Sequence, residues 1–183
     1  MDVVFNILKT KLKTETETEN FIILAPLKNP HFMKYLLTSL LALTLFISCS
    51  KDEQKDYTAE NEKEITDYIA KNKLTAQRTE SGLYYVIDVP GTGTQPTAKS
   101  NVTVAYRGAF TNGTVFDQSN SDGVSFNLYE VIPGWTEGIP FFKTGGSGIL
   151  LVPSRLAYGN GGRDKIPGGA VLIFDVKLIK VNN

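Results

Sequence analysis

The residues best placed to form a binding site lie in the last third of the chain, in four short segments set off by glycine or proline. These segments are residues 131–138, 156–159, 166–167 and 174–176. They contain the single tryptophan of the chain, Trp135, together with one tyrosine and several aliphatic side chains. Pockets that bind ligands are concave and largely apolar, and they carry few polar groups. The pattern therefore predicts an aromatic pocket that is assembled from segments distant in sequence.

Composition excludes most covalent chemistry. The 183 residues include one histidine, His31, and one cysteine, Cys49. Both precede the part of the chain that we expect to fold, so no Ser-His-Asp triad, Cys-His pair or zinc site is expected there. The glycines within residues 145–148 lack the Lys-Ser/Thr pair that completes a phosphate-binding loop, and they indicate a turn. We expect neither a metal nor a cofactor.

Charge argues against a nucleic-acid partner. The chain has 19 basic and 19 acidic residues, which balance to a formal net charge of zero. Proteins that bind nucleic acid carry a basic face. No such excess is present.

Residues 33–48 are typical of a signal peptide. Lys34 is followed by an almost wholly apolar run at 36–47, which is too short to span a bilayer. The small residue before Cys49 resembles the cleavage box of bacterial lipoproteins, a resemblance that implies lipidation of Cys49; a buried helix with an incidental cysteine is the alternative. Residues 1–32 would then be an upstream extension ahead of a true start at Met33.

Residues 49–75 are predicted to form a lipid-anchored tether and a short helix. The run after Cys49 is polar and charged, as in a solvated linker. Ile65, Tyr68 and Ile69 follow at helical spacing and form one apolar stripe. This helix is expected to pack lightly on the domain or to extend the stalk, and a role in binding a partner is the alternative.

Residues 76–183 have the composition of a single α+β domain. Strands are predicted at 83–87, 101–110, 126–128, 149–153 and 171–181, and a short helix at 135–142. Asn112-Gly113 is a strong hairpin signal. Short antiparallel strands with one helix favour a twisted sheet that carries the helix on one face.

The same stretch resembles the FKBP family of peptidyl-prolyl isomerases, and among them the bacterial envelope members. The resemblance rests on ordered motifs at residues 81–83, 91–93, 104–108, 112–119, 131–138, 157–159, 166–167 and 174–176. It implies a half-open antiparallel sheet wrapped around a short helix, with the active site between them.

The resemblance also implies roles for individual residues. Trp135 corresponds to the floor on which a proline ring rests, and Asp117 and Tyr158 correspond to the polar, catalytic pair. The remaining substrate-binding walls correspond to Tyr106, Phe116, Val131, Ile132, Ile166 and Phe174. Two rim positions depart from the common pattern: Val124 stands where many members have an aromatic residue, and Arg163 where some have histidine. Both departures are expected to reshape the rim.

The expected function is acceleration of X–Pro bond rotation during the folding of cell-envelope proteins. Rotation of a peptide bond breaks no covalent bond and meets a barrier of about 18–20 kcal/mol, so a site needs only to bind the twisted amide best. Two alternatives remain open, a non-catalytic chaperone that holds prolyl peptides and an accessory lipoprotein of an envelope assembly.

The expected partners follow from the two resemblances. They are proline-containing polypeptides, macrolide inhibitors and, through lipidated Cys49, the membrane. The expected location is the bacterial envelope, on the periplasmic face of the outer membrane.

Overall fold

Seven strands and two α-helices make up residues 55–182, the part of the chain that the computed structural model describes. In chain order they are α1 (Thr58–Asn72), β1 (Gln77–Arg78), β2 (Tyr84–Val89), β3 (Asn101–Phe110), β4 (Val115–Gln118), β5 (Val124–Asn127), α2 (Pro133–Gly138), β6 (Ser147–Val152) and β7 (Leu172–Val181). Single turns of 3₁₀ helix follow α2 at Ile139–Phe141 and β6 at Ser154–Leu156.

The strands form one antiparallel sheet in the order β1-β2-β6-β7-β3-β4, with β5 also paired to β3. Strand β3 is long enough for two partners on one edge, because residues 101–104 pair with β5 and residues 107–109 pair with β4. The register of β3 shifts between Gly108 and Ala109 against β4, and between Thr103 and Val104 against β7. Such bulges increase the local twist of a sheet. The result is an open, curved sheet rather than a flat one.

Helix α2 packs closely on one face of the sheet, which we call the α2 face. A Cβ atom on Gly134 would lie 2.5 Å from Val152 Cγ1, and one on Gly138 would lie 2.8 Å from Leu150 Cδ2. Both distances are shorter than any real contact between side-chain carbons. The two glycines thus allow the helix to approach the sheet closely enough to bury Trp135 between them.

Helix α1 covers the opposite face, which we call the α1 face. Strand side chains alternate between the two faces with period two, so Leu150 and Phe174 join the core under α2 whereas Leu151 and Ile173 join a second core under α1. Ile65 of α1 is fully buried in that second core. The helix is therefore an integral layer of this unit of the chain.

The predicted architecture is confirmed, and several element boundaries are corrected. The strand expected at 126–128 spans Val124–Asn127, and the one expected at 149–153 spans Ser147–Val152. The sheet has the expected half-open antiparallel form with a short helix on one face. The helix expected at 135–142 instead begins at Pro133 and ends at Gly138, after which the chain tightens into a 3₁₀ turn. Pro140 lacks the N–H that a continuing α-helix would need.

The predicted signal peptide at 33–48, the lipidation site Cys49 and the extension at 1–32 lie outside the described residues. The division of the chain at residues 32, 48 and 75 stays a prediction. Within residues 55–182 we find no helix with the length and apolarity that a bilayer crossing requires.

Candidate active site

A cavity of about 490 Å³ opens on the α2 face of the sheet. Strands β3, β4, β5 and β7, helix α2, the connection that precedes α2 and the connection between β6 and β7 all contribute to its walls. The lining residues are Tyr106, Phe116, Asp117, Phe126, Glu130, Val131, Ile132, Pro133, Trp135, Ala157, Tyr158, Arg163 and Phe174. Eight of the nine side chains that the sequence predicts for the site are in this set, so residues spread over 69 positions meet around one cavity.

Trp135 forms the floor, with only 4% of its surface exposed. Three aromatic rings meet it edge-on: Tyr106 at a centroid distance of 5.2 Å, and Phe126 and Phe174 each at 5.4 Å. Edge-to-face pairs of this kind contribute about 0.5–1.5 kcal/mol each beyond the area that they bury. The indole is therefore held rigidly and presents a flat apolar surface to a ligand.

The indole N–H of Trp135 is buried and finds no acceptor among the described residues. Leaving a buried donor unpaired costs about 1–3 kcal/mol, and such groups are rare in native structures. The local backbone explains why the ring is nevertheless held there. Ile132 is extended at the start of α2 and Pro133 occupies the first helical turn, so the helix begins abruptly and directs Trp135 toward the sheet.

Tyr106 and Asp117 form a polar pair in the wall. The Tyr106 hydroxyl donates to Asp117 Oδ2 over 2.7 Å, from β3 to the neighbouring strand β4. Burial is the largest cause that raises the pKa of Tyr106 far above its ordinary value, and the hydrogen bond to Asp117 and the negative charge of Asp117 add to it. The hydroxyl consequently stays protonated and remains a donor to the carboxylate.

Tyr158 stands on the long connection between β6 and β7. Residues 154–169, which we call the Tyr158 loop, turn back sharply after the 3₁₀ turn, where Gly159 N–H donates to Ser154 O over 2.8 Å and Gly159 adopts a φ of +59°. Within the described part of the chain the Tyr158 hydroxyl has no hydrogen-bond partner. The Arg163 guanidinium lies 5.9 Å from the centre of the Tyr158 ring, so Arg163 takes its place at the rim of the cavity.

Ile166 is the one predicted wall residue that lies elsewhere. It lines an adjoining cavity of about 510 Å³, whose wall shares Phe116, Asp117, Tyr158 and Arg163 with the first. The two cavities together form a longer depression than the first cavity alone. An extended ligand seated on Trp135 could continue past Tyr158 toward Ile166.

Phe126 is the main wall residue that the sequence reasoning missed. Val124, which stands where an aromatic residue is common, is 41% exposed and does not line the cavity. Phe126 instead supplies an aromatic ring to the wall and packs on Trp135. Period-two alternation could have revealed it, since residues 124 and 126 share a face of β5 and Phe126 pairs with the buried Val102.

The chemistry available here is binding by shape and by hydrogen bonds. Residues 55–182 contain no histidine and no cysteine, so neither an imidazole base nor a thiolate nucleophile is present in the described domain. The carboxylates at the cavity already accept hydrogen bonds, Asp117 from Tyr106 and Glu130 from Asn127 over 2.8 Å. The site suits a ligand with a compact apolar ring and a neighbouring hydrogen-bond acceptor.

Comparison with known proteins gives consistent similarities. The FKBP_C family, described as FKBP-type peptidyl-prolyl cis-trans isomerase, matches residues 92–179, a range that contains every residue lining the cavity. FKBP-type peptidyl-prolyl cis-trans isomerase FkpA of Aeromonas hydrophila is 44% identical over 126 residues, which cover 67% of this chain and 47% of that protein. The chain spans about half the length of the curated relatives it matches.

Solved structures agree in fold. A peptidyl-prolyl cis-trans isomerase from Pseudomonas syringae pv. tomato aligns with a TM-score of 0.60 and 32% identity, covering 70% of this chain and 98% of that one. FkpA from Escherichia coli aligns with a TM-score of 0.63 and 28% identity, covering 100% of this chain and 83% of that one.

Proposed function

Because this chain belongs to the family of FKBP-type peptidyl-prolyl cis-trans isomerases, we propose that it accelerates rotation about X–Pro peptide bonds in the aromatic cavity. Uncatalysed X–Pro exchange takes tens to hundreds of seconds, because twisting the amide removes its resonance. A protein accelerates this rotation if it binds the twisted amide more tightly than either planar form. No nucleophile, general base or cofactor is needed for such a step.

The observation that carries the proposal is the combination of a rigid aromatic floor with a free hydroxyl at its edge. Three rings fix Trp135, and the proline ring of a substrate packs on its face. The twisted amide is less polar than the planar one, so an apolar pocket favours it. The Tyr158 hydroxyl, which has no partner within residues 55–182, donates to a carbonyl of the substrate next to the proline.

In this proposal the Asp117 carboxylate acts through its negative charge rather than by transferring a proton. Its carboxylate accepts the hydrogen bond of Tyr106 and keeps a negative charge in the wall. A charge held there disfavours the planar amide, whose carbonyl oxygen carries more negative charge than that of the twisted form. Rotation is therefore aided without any proton transfer.

The rate of cis–trans isomerisation of a short X–Pro peptide tests this function. The full chain should accelerate the exchange, and Tyr158→Phe and Trp135→Ala should each reduce kcat/KM. Tyr85→Phe is a matched control, because the Tyr85 hydroxyl bonds Gln77 outside the cavity, and it should retain activity. A folded chain that binds the peptide without accelerating its exchange would refute catalysis and favour the alternative of a holding chaperone.

The proposed setting is the bacterial cell envelope, with the chain anchored through a lipid on Cys49. The support is the apolar run at 36–47 followed by cysteine. Mass spectrometry of the chain isolated from membranes of its source should find Cys49 as a lipidated N-terminus, and Cys49→Ser should move the chain out of the membrane fraction. An unmodified Cys49 in an uncleaved chain would contradict the anchor.

The same cavity is proposed to bind macrolide inhibitors of this family. Trp135 is the only tryptophan of the chain and lies at the floor, so its fluorescence should change on titration with such an inhibitor. Inhibition of isomerisation should follow the same saturation curve. A fluorescence change without inhibition would place the compound outside the productive site.

A further inference from the structure

The Tyr158 loop is fastened to the domain by one buried amide side chain from helix α1. Asn61 is only 2% exposed. Its Nδ2 donates to Gly169 O over 2.8 Å, and its Oδ1 accepts from Ser154 N over 2.8 Å. Ser154 and Gly169 are the first and last residues of the loop. One side chain therefore joins both ends of the segment that carries Tyr158.

The backbone hydrogen bonds inside the loop do not pair the Ser154 N–H or the Gly169 carbonyl at its two ends. Within the described residues, the backbone bonds inside the loop include Ala157 N and Gly159 N to Ser154 O and Gly169 N to Gly159 O, whereas Ser154 N–H and Gly169 O are paired by Asn61. A buried backbone donor or acceptor requires a partner. The Ser154 and Gly169 groups that Asn61 pairs belong to the same two residues whose other backbone groups bond Gly159, directly after Tyr158.

Two more contacts, from the residues just before α1, reach the same loop. The Lys55 carbonyl accepts from Asn160 Nδ2 over 2.6 Å. The Tyr57 ring lies against Gly169, where a Cβ atom would be 2.2 Å from Tyr57 Cε1. The residues from 55 to 61 thus bind the loop at three of its positions, on the side remote from the cavity.

We infer that Asn61 is a positioning residue for isomerisation, and that it acts by holding the Tyr158 loop so that the Tyr158 hydroxyl meets the substrate carbonyl. This inference rests on the proposed function for its consequence in catalysis. The helix α1 then serves as a support for the active site rather than as a stalk alone. Asn61 itself touches no substrate, because it reaches the loop from the α1 side.

Asn61→Leu removes both hydrogen bonds and keeps the number and branching of the side-chain heavy atoms, and Ile65→Val is the control at the same helix interface. Ile65 is fully buried one turn further along α1, against residues of the sheet. We expect Asn61→Leu to lower kcat/KM about two- to tenfold, since its effect is bounded by the one hydrogen bond that Tyr158 donates. Ile65→Val should lower the melting temperature but leave kcat/KM of the folded chain unchanged.

A double-mutant cycle separates positioning from general weakening. In a Tyr158→Phe background the hydroxyl is absent, so Asn61→Leu should cause no further loss of kcat/KM. Amide hydrogen exchange should quicken within residues 154–169 in Asn61→Leu and remain unchanged there in Ile65→Val. Asn61→Ala, in which water can reach the two backbone groups, replaces Asn61→Leu if that variant does not fold.

The inference is overturned if Asn61→Leu and Ile65→Val lose activity equally, or if Asn61→Leu loses the same factor with and without the Tyr158 hydroxyl. An inactive wild-type chain would instead refute the proposed function. In that case the positioning role is judged by peptide affinity, read from Trp135 fluorescence, together with the exchange of residues 154–169. Unchanged affinity and exchange in Asn61→Leu would then overturn it independently.

Discussion

Substitution of Tyr106 by phenylalanine removes one hydroxyl and nothing else from the cavity wall. The ring that packs edge-on against Trp135 is retained. The hydrogen bond to Asp117 is lost. Tyr106→Phe therefore tests whether a hydrogen-bonded carboxylate in the wall matters to the site, with little change in shape.

The expected loss of stability can be worked from the geometry. A hydrogen bond to a charged acceptor contributes about 1.5–3 kcal/mol when buried, and the partial exposure of this pair reduces that to about 1 kcal/mol. For a domain of this size the melting temperature should fall by about 3–6 °C. Because Asp117 is then no longer held, kcat/KM for a prolyl peptide should fall about two- to tenfold.

The pH dependence of the free energy of unfolding provides a second test of the Tyr106 hydrogen bond. The raised pKa of Tyr106 means that the folded chain keeps this proton when an unfolded tyrosine, with a pKa of about 10, has lost it. The stabilisation is fully present below pH 10 and is lost as the pH rises toward the folded pKa, in total by about the 1 kcal/mol that this partly exposed pair contributes. Because the pKa values of Tyr68 and Tyr84 are also raised, the difference between wild type and Tyr106→Phe isolates Tyr106.

Tyr84→Phe is the matched control, since Tyr84 also donates to a carboxylate, Glu62 Oε1, over 2.6 Å on the α1 face. Both variants should lower the free energy of unfolding, measured in denaturant at pH 7, 10 and 11. Only Tyr106→Phe should change isomerisation of the peptide. Equal losses of activity in the two variants, or an unfolding free energy of Tyr106→Phe that matches wild type at every pH, would refute the reasoning.

Four further substitutions give distinct outcomes. Trp135→Phe should fold normally, because the lost N–H had no acceptor in the described domain, and the smaller ring should lower kcat/KM about fivefold in the peptide assay. The hydrogen bond from Tyr84 lowers the pKa of Glu62. The stability that this bond contributes is therefore lost as the pH falls below about 4.3. In Glu62→Gln, the free energy of unfolding measured in denaturant should fall less between pH 5 and pH 3 than it does in wild type. Gly134→Ala, overpacked against the sheet, should lose about 1–3 kcal/mol in denaturant unfolding together with activity. Gly145→Ala, which has open space but a φ of +86°, should lose about 1–2 kcal/mol and keep its activity.

The sequence predicts the sheet and most of the cavity because those features are local or belong to spaced motifs. The alternation of Val102 and Val104 identifies β3. Pro133 marks the start of α2, and Trp135 lies two residues later in the same motif. Ile166 is displaced to the adjoining cavity because the loop around it bends back, with a β-bridge between Arg163 and Ile166. Spacing along the chain does not reveal such a bend.

The placement of α1 could not be read from its own pattern. The stripe of Ile65, Tyr68 and Ile69 predicts which side of the helix is apolar, but it does not say which surface the helix covers. Asn61 lies one turn before Ile65 on that stripe, and a polar residue there would ordinarily be expected at the solvent edge. It is buried because its partners are backbone groups of a loop about 93 to 108 residues away, a relation that only the folded chain displays.

The polar groups at the cavity favour a ligand that carries carbonyl groups. Among the described residues, the Tyr158 hydroxyl and the Trp135 indole N–H belong to side chains that line the cavity and have no acceptor. The carboxylates of Asp117 and Glu130, in contrast, are already hydrogen-bonded. Binding a ligand that brings acceptors satisfies these donors, whereas a ligand rich in N–H groups gains less. The nitrogen of an X–Pro bond carries no hydrogen while its flanking carbonyls accept. We therefore expect a prolyl peptide to complement this site better than a peptide without proline.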